Sequence, residues 1–152
     1  MDKSDLLTLD NQLCFALYAC AREVTKLYRP FLDELGITYT QYVTLLALWE
    51  KDGVPVKELG ARLYLDSGTL TPLLKKLEAM SLIRRERDPA DERSVLVRLT
   101  DEGRAMKEQA VTIPERFFCQ MNLPLEEFTA LRDQLRKLTS AVHESTCGTQ
   151  ES

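Results

Sequence analysis

The sequence has one histidine, His143, one tryptophan and no two cysteines at C-x-x-C spacing. Without clustered Cys and His ligands an ordinary zinc site is excluded, and neither a metal nor a cofactor is expected. Any apolar run approaching the roughly 18 residues that cross a bilayer is also lacking. The opening "MDKSDLLTLDNQ" has no basic stretch followed by an apolar one, so it does not read as a secretion signal. The expected location is the cytoplasm, where structural disulfides are rare. The four cysteines, at 14, 20, 119 and 147, are then expected to be either inert or redox-active. There is no internal repeat and no low-complexity tract.

What is present is ordinary globular material: 152 residues, 44% hydrophobic and 29% charged, a length that predicts a single domain. The net charge of −4 argues weakly against nucleic-acid binding, but the charge is unevenly spread. Residues 67–98 hold seven Lys/Arg against five Asp/Glu, which leaves the remainder acidic. An acidic body carrying a basic segment fits a protein that turns one face to a polyanion.

Helical spacing of Leu13, Leu17, Val24 and Tyr28 predicts a first helix over about 10–35, ended by Gly36. Thr38 or Thr40 can cap a second, largely buried helix, "QYVTLLALWEKDG". Val56, Leu59 and Leu63 mark a short helix. After the break "YLDS", with Asp66 and Ser67 as cap candidates, Leu70, Leu73, Leu74, Leu77 and Met80 mark the inner face of another. These two form a helix-turn-helix candidate. The period then changes: "LIRRERDPADERSVLVRLT" reads as a β-hairpin with a charged tip at "DPAD". Thr100 caps a further helix, Pro114 kinks or breaks it, and Pro124 precedes the last. There Phe128, Leu131, Leu135, Leu138 and Val142 make a coiled-coil-like seam. The tail 145–152 is expected to be disordered.

On the helix after Ser67, the side opposite the leucine stripe carries Gly68, Thr71, Pro72, Lys75 and Lys76, with Thr69 on its flank. Small hydroxyl residues at that helix's start suit base edges, and the lysines suit phosphates. Arg84, Arg85, Arg87 and Arg93 stand on the hairpin, where they suit the DNA backbone or the minor groove. Either element alone reads as a solvated face. In this order and spacing the two predict a winged helix-turn-helix.

Cys14, in "LTLDNQLCFALYACARE", has two readings. Its apolar flanks suit core filling. A reactive cysteine needs a stabilised thiolate; the helix start helps modestly, Asp10 opposes it, and no basic residue is close in sequence. Tyr28 and Tyr39, taken alone, read as half-buried packing residues. Cys20 lies about 9 Å further along the helix, too far for a disulfide with Cys14.

The order helix, helix, helix-turn-helix, wing and two C-terminal helices resembles the MarR family of bacterial transcription regulators. The family's wing signature matches "DERSVLVRLT", with Asp91 and Arg93 as the signature pair. The segments "LDNQLCFALYA", "TKLYRP", "LGITYTQY" and "LYLDSGTLTPLLKKLE" resemble the organic-hydroperoxide-resistance regulator branch, over about Leu9 to Leu138. The resemblance implies a homodimeric repressor, not an enzyme, that leaves an inverted-repeat operator in double-stranded DNA when an organic hydroperoxide oxidises Cys14. It implies that Tyr28 and Tyr39 bond the Cys14 sulfur across the dimer. Cys119, after "PERFF", would act as the resolving thiol of the two-cysteine type, through a disulfide between subunits. Within one domain, 10–53 and 101–144 would mainly dimerise, and 54–100 would form the winged lobe. DNA contacts are expected from Ser67, Thr69, Thr71, Pro72, Lys75, Lys76, Arg85, Arg87, Asp91 and Arg93. Cys20 and Cys147 receive no role. Two rivals remain: a repressor released by a non-covalent phenolic ligand, and a thiol peroxidase. The peroxiredoxin pattern P-x-x-x-T-x-x-C fails on the second, since Leu7 and Asn11 stand where proline and threonine are required.

Overall fold

The structure, a computed structural model, describes residues 5–147. Two short 3-10 turns, Asp5–Leu7 and Leu9–Asn11, lead into α1 (Leu13–Asp33). The rest runs α2 (Tyr39–Glu50), β1 (Val54–Pro55), α3 (Val56–Leu63), α4 (Ser67–Ala79), β2 (Ile83–Asp88), β3 (Asp91–Leu99), α5 (Asp101–Ala110), α6 (Ile113–Met121) and α7 (Leu125–Cys147). The fold is mainly α, with one antiparallel sheet in the order β1-β3-β2. The chain divides into two compact units, one through Ile113 and one from Pro114.

The first unit holds the helix-turn-helix and its wing. Three of its helices start on side chains that satisfy free amides. The Thr38 hydroxyl accepts from Gln41 N in a capping box, Asp66 Oδ1 accepts from Thr69 N at 2.8 Å, and Thr100 Oγ1 accepts from Gly103 N at 3.0 Å. Leu70, Leu73, Leu74 and Leu77 of α4 are buried with Leu45 and Leu48 of α2, Leu59 of α3, and Leu96, Val97 and Leu99 at the wing's base. Met80, expected on the inner face, caps α4 from an exposed position. Gly103 lies against the Leu82 carbonyl so closely that a Cβ would stand 2.1 Å from it, and its own carbonyl accepts from Trp49 Nε1 at 2.9 Å.

The hairpin pairs Ile83 with Leu99 through Arg87 with Val95, and a bulge between Arg87 and Asp88 leads to its tip. The two-residue strand β1, which pairs Val54 with Val97, had no sequence signal. Asp52 secures the wing's root: its Oδ1 accepts from the Leu99 and Gly53 amides, each at 2.8 Å, and its Oδ2 from Arg104 Nη2 at 2.9 Å. Burial opposes its ionisation, but those amides and the Arg104 guanidinium hold its carboxyl below the ordinary range.

Two helix boundaries differ from expectation. α1 starts at Leu13, because Asn11 Nδ2 donates to the Asp5 carbonyl and Gln12 Nε2 to those of Leu6 and Thr8, bonds that favour tight turns over helix. α7 continues to Cys147, so Ser145, Thr146 and Cys147 are helical where a disordered tail was expected. Residues 148–152 lie outside the described residues. Around Pro114 the helical run breaks into α5 and α6.

Candidate functional site

The capped start of α4 presents Ser67, Gly68, Thr69, Pro72, Lys75 and Lys76 as exposed residues, with Thr71 half-buried. The leucine stripe on its other side fixes that orientation. Pro72 stands on the outer side in the second turn, so the carbonyl it leaves without a helical donor is in the exposed first turn. α4 and the wing enclose an open cleft of about 620 Å³, whose walls include Ser67, Thr71, Arg85, Asp91 and Arg93. Lys75, Arg87 and Arg93 make no ion pair among the described residues, and the Arg93 amide donates to Asp91 Oδ1 at 3.1 Å. This turn chemistry presents Arg93 at the wing tip.

Arg85 differs from the other expected DNA contacts. It is only 27% exposed, and Glu78 of α4 engages it from both sides of its carboxylate. The Arg85 guanidinium and amide hold the Glu78 carboxyl below the ordinary range. Arg85 is therefore occupied within the lobe. Sequence reasoning missed this pair because Glu78 ends a helix and Arg85 sits on a strand beyond the turn.

Cys14 is the second residue of α1, nearer the helix start than expected, and it is a free, exposed thiol. Within its own chain Cys14 therefore fills no core. Leu13, Phe15 and Tyr18 around it are exposed as well. Tyr28 and Tyr39 are half-buried, with ring centroids 5.1 Å apart, and Tyr42 lies 5.9 Å from Tyr28. Burial, with the neighbouring phenols, pushes the Tyr28 hydroxyl well above the ordinary phenol range, and burial raises Tyr39 too. Both stay protonated at neutral pH and so keep an O–H to donate. They cannot donate to Cys14 of their own chain. Cys14 and Tyr28 are fourteen residues apart on one continuous helix, about 21 Å at 1.5 Å per residue.

In the second unit Cys119 is exposed on α6, one residue after Phe118, whose ring meets that of Phe128 edge-on at 5.4 Å. Cys20 and Cys147 are exposed and free too, and Cys147 Sγ lies 3.6 Å from His143 Nε2. No cluster of three or more metal-binding side chains occurs among the described residues, and no described helix is long and apolar enough to cross a membrane.

Residues 26–110 match the family model for the transcriptional regulator SarA/Rot. The chain is 49% identical to the organic hydroperoxide resistance transcriptional regulator of Bacillus subtilis, over 94% of this chain and 97% of that protein. Among solved structures it is similar to AbfR of Staphylococcus epidermidis, reduced and bound to DNA. That likeness has a TM-score of 0.74 at 35% identity, covering 92% of this chain and 97% of that one; AbfR has also been solved overoxidised and bound to DNA. It is similar, too, to the PcaV transcriptional regulator of Streptomyces coelicolor in complex with its natural ligand. There the TM-score is 0.80 at 25% identity, over 90% of this chain and 97% of that one.

Proposed function

The chain belongs to the MarR family of winged-helix transcriptional regulators, in its organic-hydroperoxide-resistance branch, and from that premise we propose that it is a homodimeric repressor whose Cys14 senses organic hydroperoxides. It is a regulator and not an enzyme. Two copies of α4 enter successive major grooves of an inverted repeat, and the wings, led by Arg93, follow the flanking backbone. Residues 10–53 and 101–144 supply the dimer base around the lobe 54–100, and the protein works in the cytoplasm with the DNA it controls.

The observation that carries the redox reading is the separation of sulfur from phenols. Cys14 is exposed in the first turn of α1, whereas Tyr28 stands about 21 Å further along that helix, with Tyr39 of α2 packed against its ring. A second chain laid antiparallel along α1 would bring its tyrosines to this sulfur. The exposed Leu13, Phe15 and Tyr18 favour a peroxide with a hydrocarbon group over hydrogen peroxide. The Cys14 thiolate attacks the outer peroxide oxygen, and the O–O bond breaks. The alcohol leaves with a proton, and Cys14 becomes a sulfenic acid. The thiol of the partner subunit's Cys119 then displaces water from that sulfur to form the disulfide. Cys119 enters through the family resemblance and its exposure. The disulfide repacks the dimer base and moves the two lobes off their half-sites.

The test is a binding titration on the DNA upstream of this chain's own gene, with and without cumene hydroperoxide. Wild type is expected to bind and then to release. Cys14→Ser is expected to bind equally and to ignore the peroxide, since serine cannot form a sulfenic acid. Release of Cys14→Ser by the peroxide moves the sensor elsewhere. Release of both proteins by a simple phenol, with no response to peroxide, favours the non-covalent reading.

A further inference from the structure

Glu78 is oddly placed for a protein that holds DNA. It is the next-to-last residue of α4, at the negative end of the helix dipole, where a carboxylate is unfavourable. It also adds negative charge to the lobe that must meet phosphate. The wing consumes that charge. Glu78 Oε1 accepts from the Arg85 amide at 3.1 Å, and Oε2 accepts from Arg85 Nε at 3.2 Å and Nη2 at 2.8 Å. Bonds from one carboxylate to both the main chain and the planar guanidinium of one residue fix where the strand sits and how it is turned. Arg85 pairs with Val97 in the sheet and lines the cleft between α4 and the wing, with Thr71, Leu74 and Arg93.

We propose that Glu78 and Arg85 form a clamp beside the cleft that sets the spacing between recognition helix and wing, so that Arg85 serves DNA binding as a positioning residue and not as a phosphate contact. The proposal rests on the DNA-binding reading above. The two roles predict opposite signs. If Arg85 touched phosphate, removing the Glu78 charge would free it and lessen repulsion, and binding would tighten. If the pair is a clamp, the same change leaves the wing badly placed and binding weakens, although the protein has become more positive.

The experiment measures fluorescence anisotropy of a labelled duplex from upstream of the chain's own gene, across a salt series, for wild type, Glu78→Gln, Arg85→Ala and the double variant. The clamp predicts that Glu78→Gln loses about tenfold in affinity or more, the range set by a bond between charged groups. Its salt slope should become shallower as wing contacts are lost, and the double variant should bind no worse than Arg85→Ala. Glu78→Gln binding as tightly as wild type or tighter, or losses that simply add, overturns the clamp while leaving the functional reading intact. No binding by wild type overturns both. Should Glu78→Gln melt too early to be measured, Arg85→Lys decides. It keeps the charge but not the fork, so a clamp predicts loss and a phosphate contact predicts retention.

Discussion

The winged lobe and the terminal helices contain similar apolar patterns and treat them in opposite ways. In α4 the four stripe leucines are all buried within the chain, and Leu77 is fully so. In α7, nearly twice as long, no residue is buried; Leu131, Leu135 and Val142 stand 44%, 37% and 53% exposed. α1 repeats the pattern, with only Phe31 and Leu32 buried and Leu13, Phe15 and Tyr18 exposed. A stripe at helical spacing that finds no cover in its own chain needs cover from another. The lobe thus buries its stripe within one chain, and the ends leave exposed the faces that the proposed dimer would cover. The proposed sensor lies on an end and the proposed DNA surface on the lobe, so a signal must cross from the part that needs a partner to the part that does not.

The largest effect expected from breaking this contrast is at the ends. Leu131→Glu with Leu135→Glu should abolish operator binding and give monomers by light scattering, because two charges on an apolar seam oppose association. A dimer that survives both changes would place the interface elsewhere. In the lobe, Leu77→Ala should cost about 2–5 kcal/mol by the usual cost of a core cavity. Denaturant melts should show that loss at every protein concentration, whereas a loss that shrinks as concentration rises would tie Leu77 to the dimer. At the proposed sensor, Tyr28→Phe and Tyr39→Phe each remove one donor from the sulfur, an interaction of about 1.5–3 kcal/mol when one partner is charged. Stopped-flow oxidation of Cys14 at neutral pH should slow in each; unchanged rates in both would remove the phenols from the site. Smallest, Arg93→Ala and Lys75→Ala should each weaken DNA binding and lower the salt slope by about one unit. Equal slopes in wild type and variants would mean that neither side chain meets a phosphate.

The lobe was the more legible region because its signals are local. Thr38, Asp66 and Thr100 each cap a helix from the position their residue types advertise, and "DPAD" turns the hairpin as turn residues do. What escaped depends on partners distant in sequence or on competing bonds. Asn11 and Gln12 bond backward to carbonyls and hold off the start of α1, which brings Cys14 into its first turn. Arg85 resembles Arg87 and Arg93 in sequence, yet Glu78 engages it and not them. Cys14 was ambiguous because apolar neighbours mean core in one chain and interface between two. Its exposure beside Leu13 and Phe15 removes the first meaning.

The claim that Cys14 is the sensor is tested most directly by locating the oxidised sulfur. The reduced protein is treated with one equivalent of cumene hydroperoxide, digested without reductant and mapped by mass spectrometry. The account predicts that the Cys14 peptide is consumed first, as a sulfenic acid and then as a disulfide with the Cys119 peptide, while the Cys20 and Cys147 peptides stay reduced. Oxidation of Cys20 or Cys147 with Cys14 intact, at a dose that releases DNA, would contradict it.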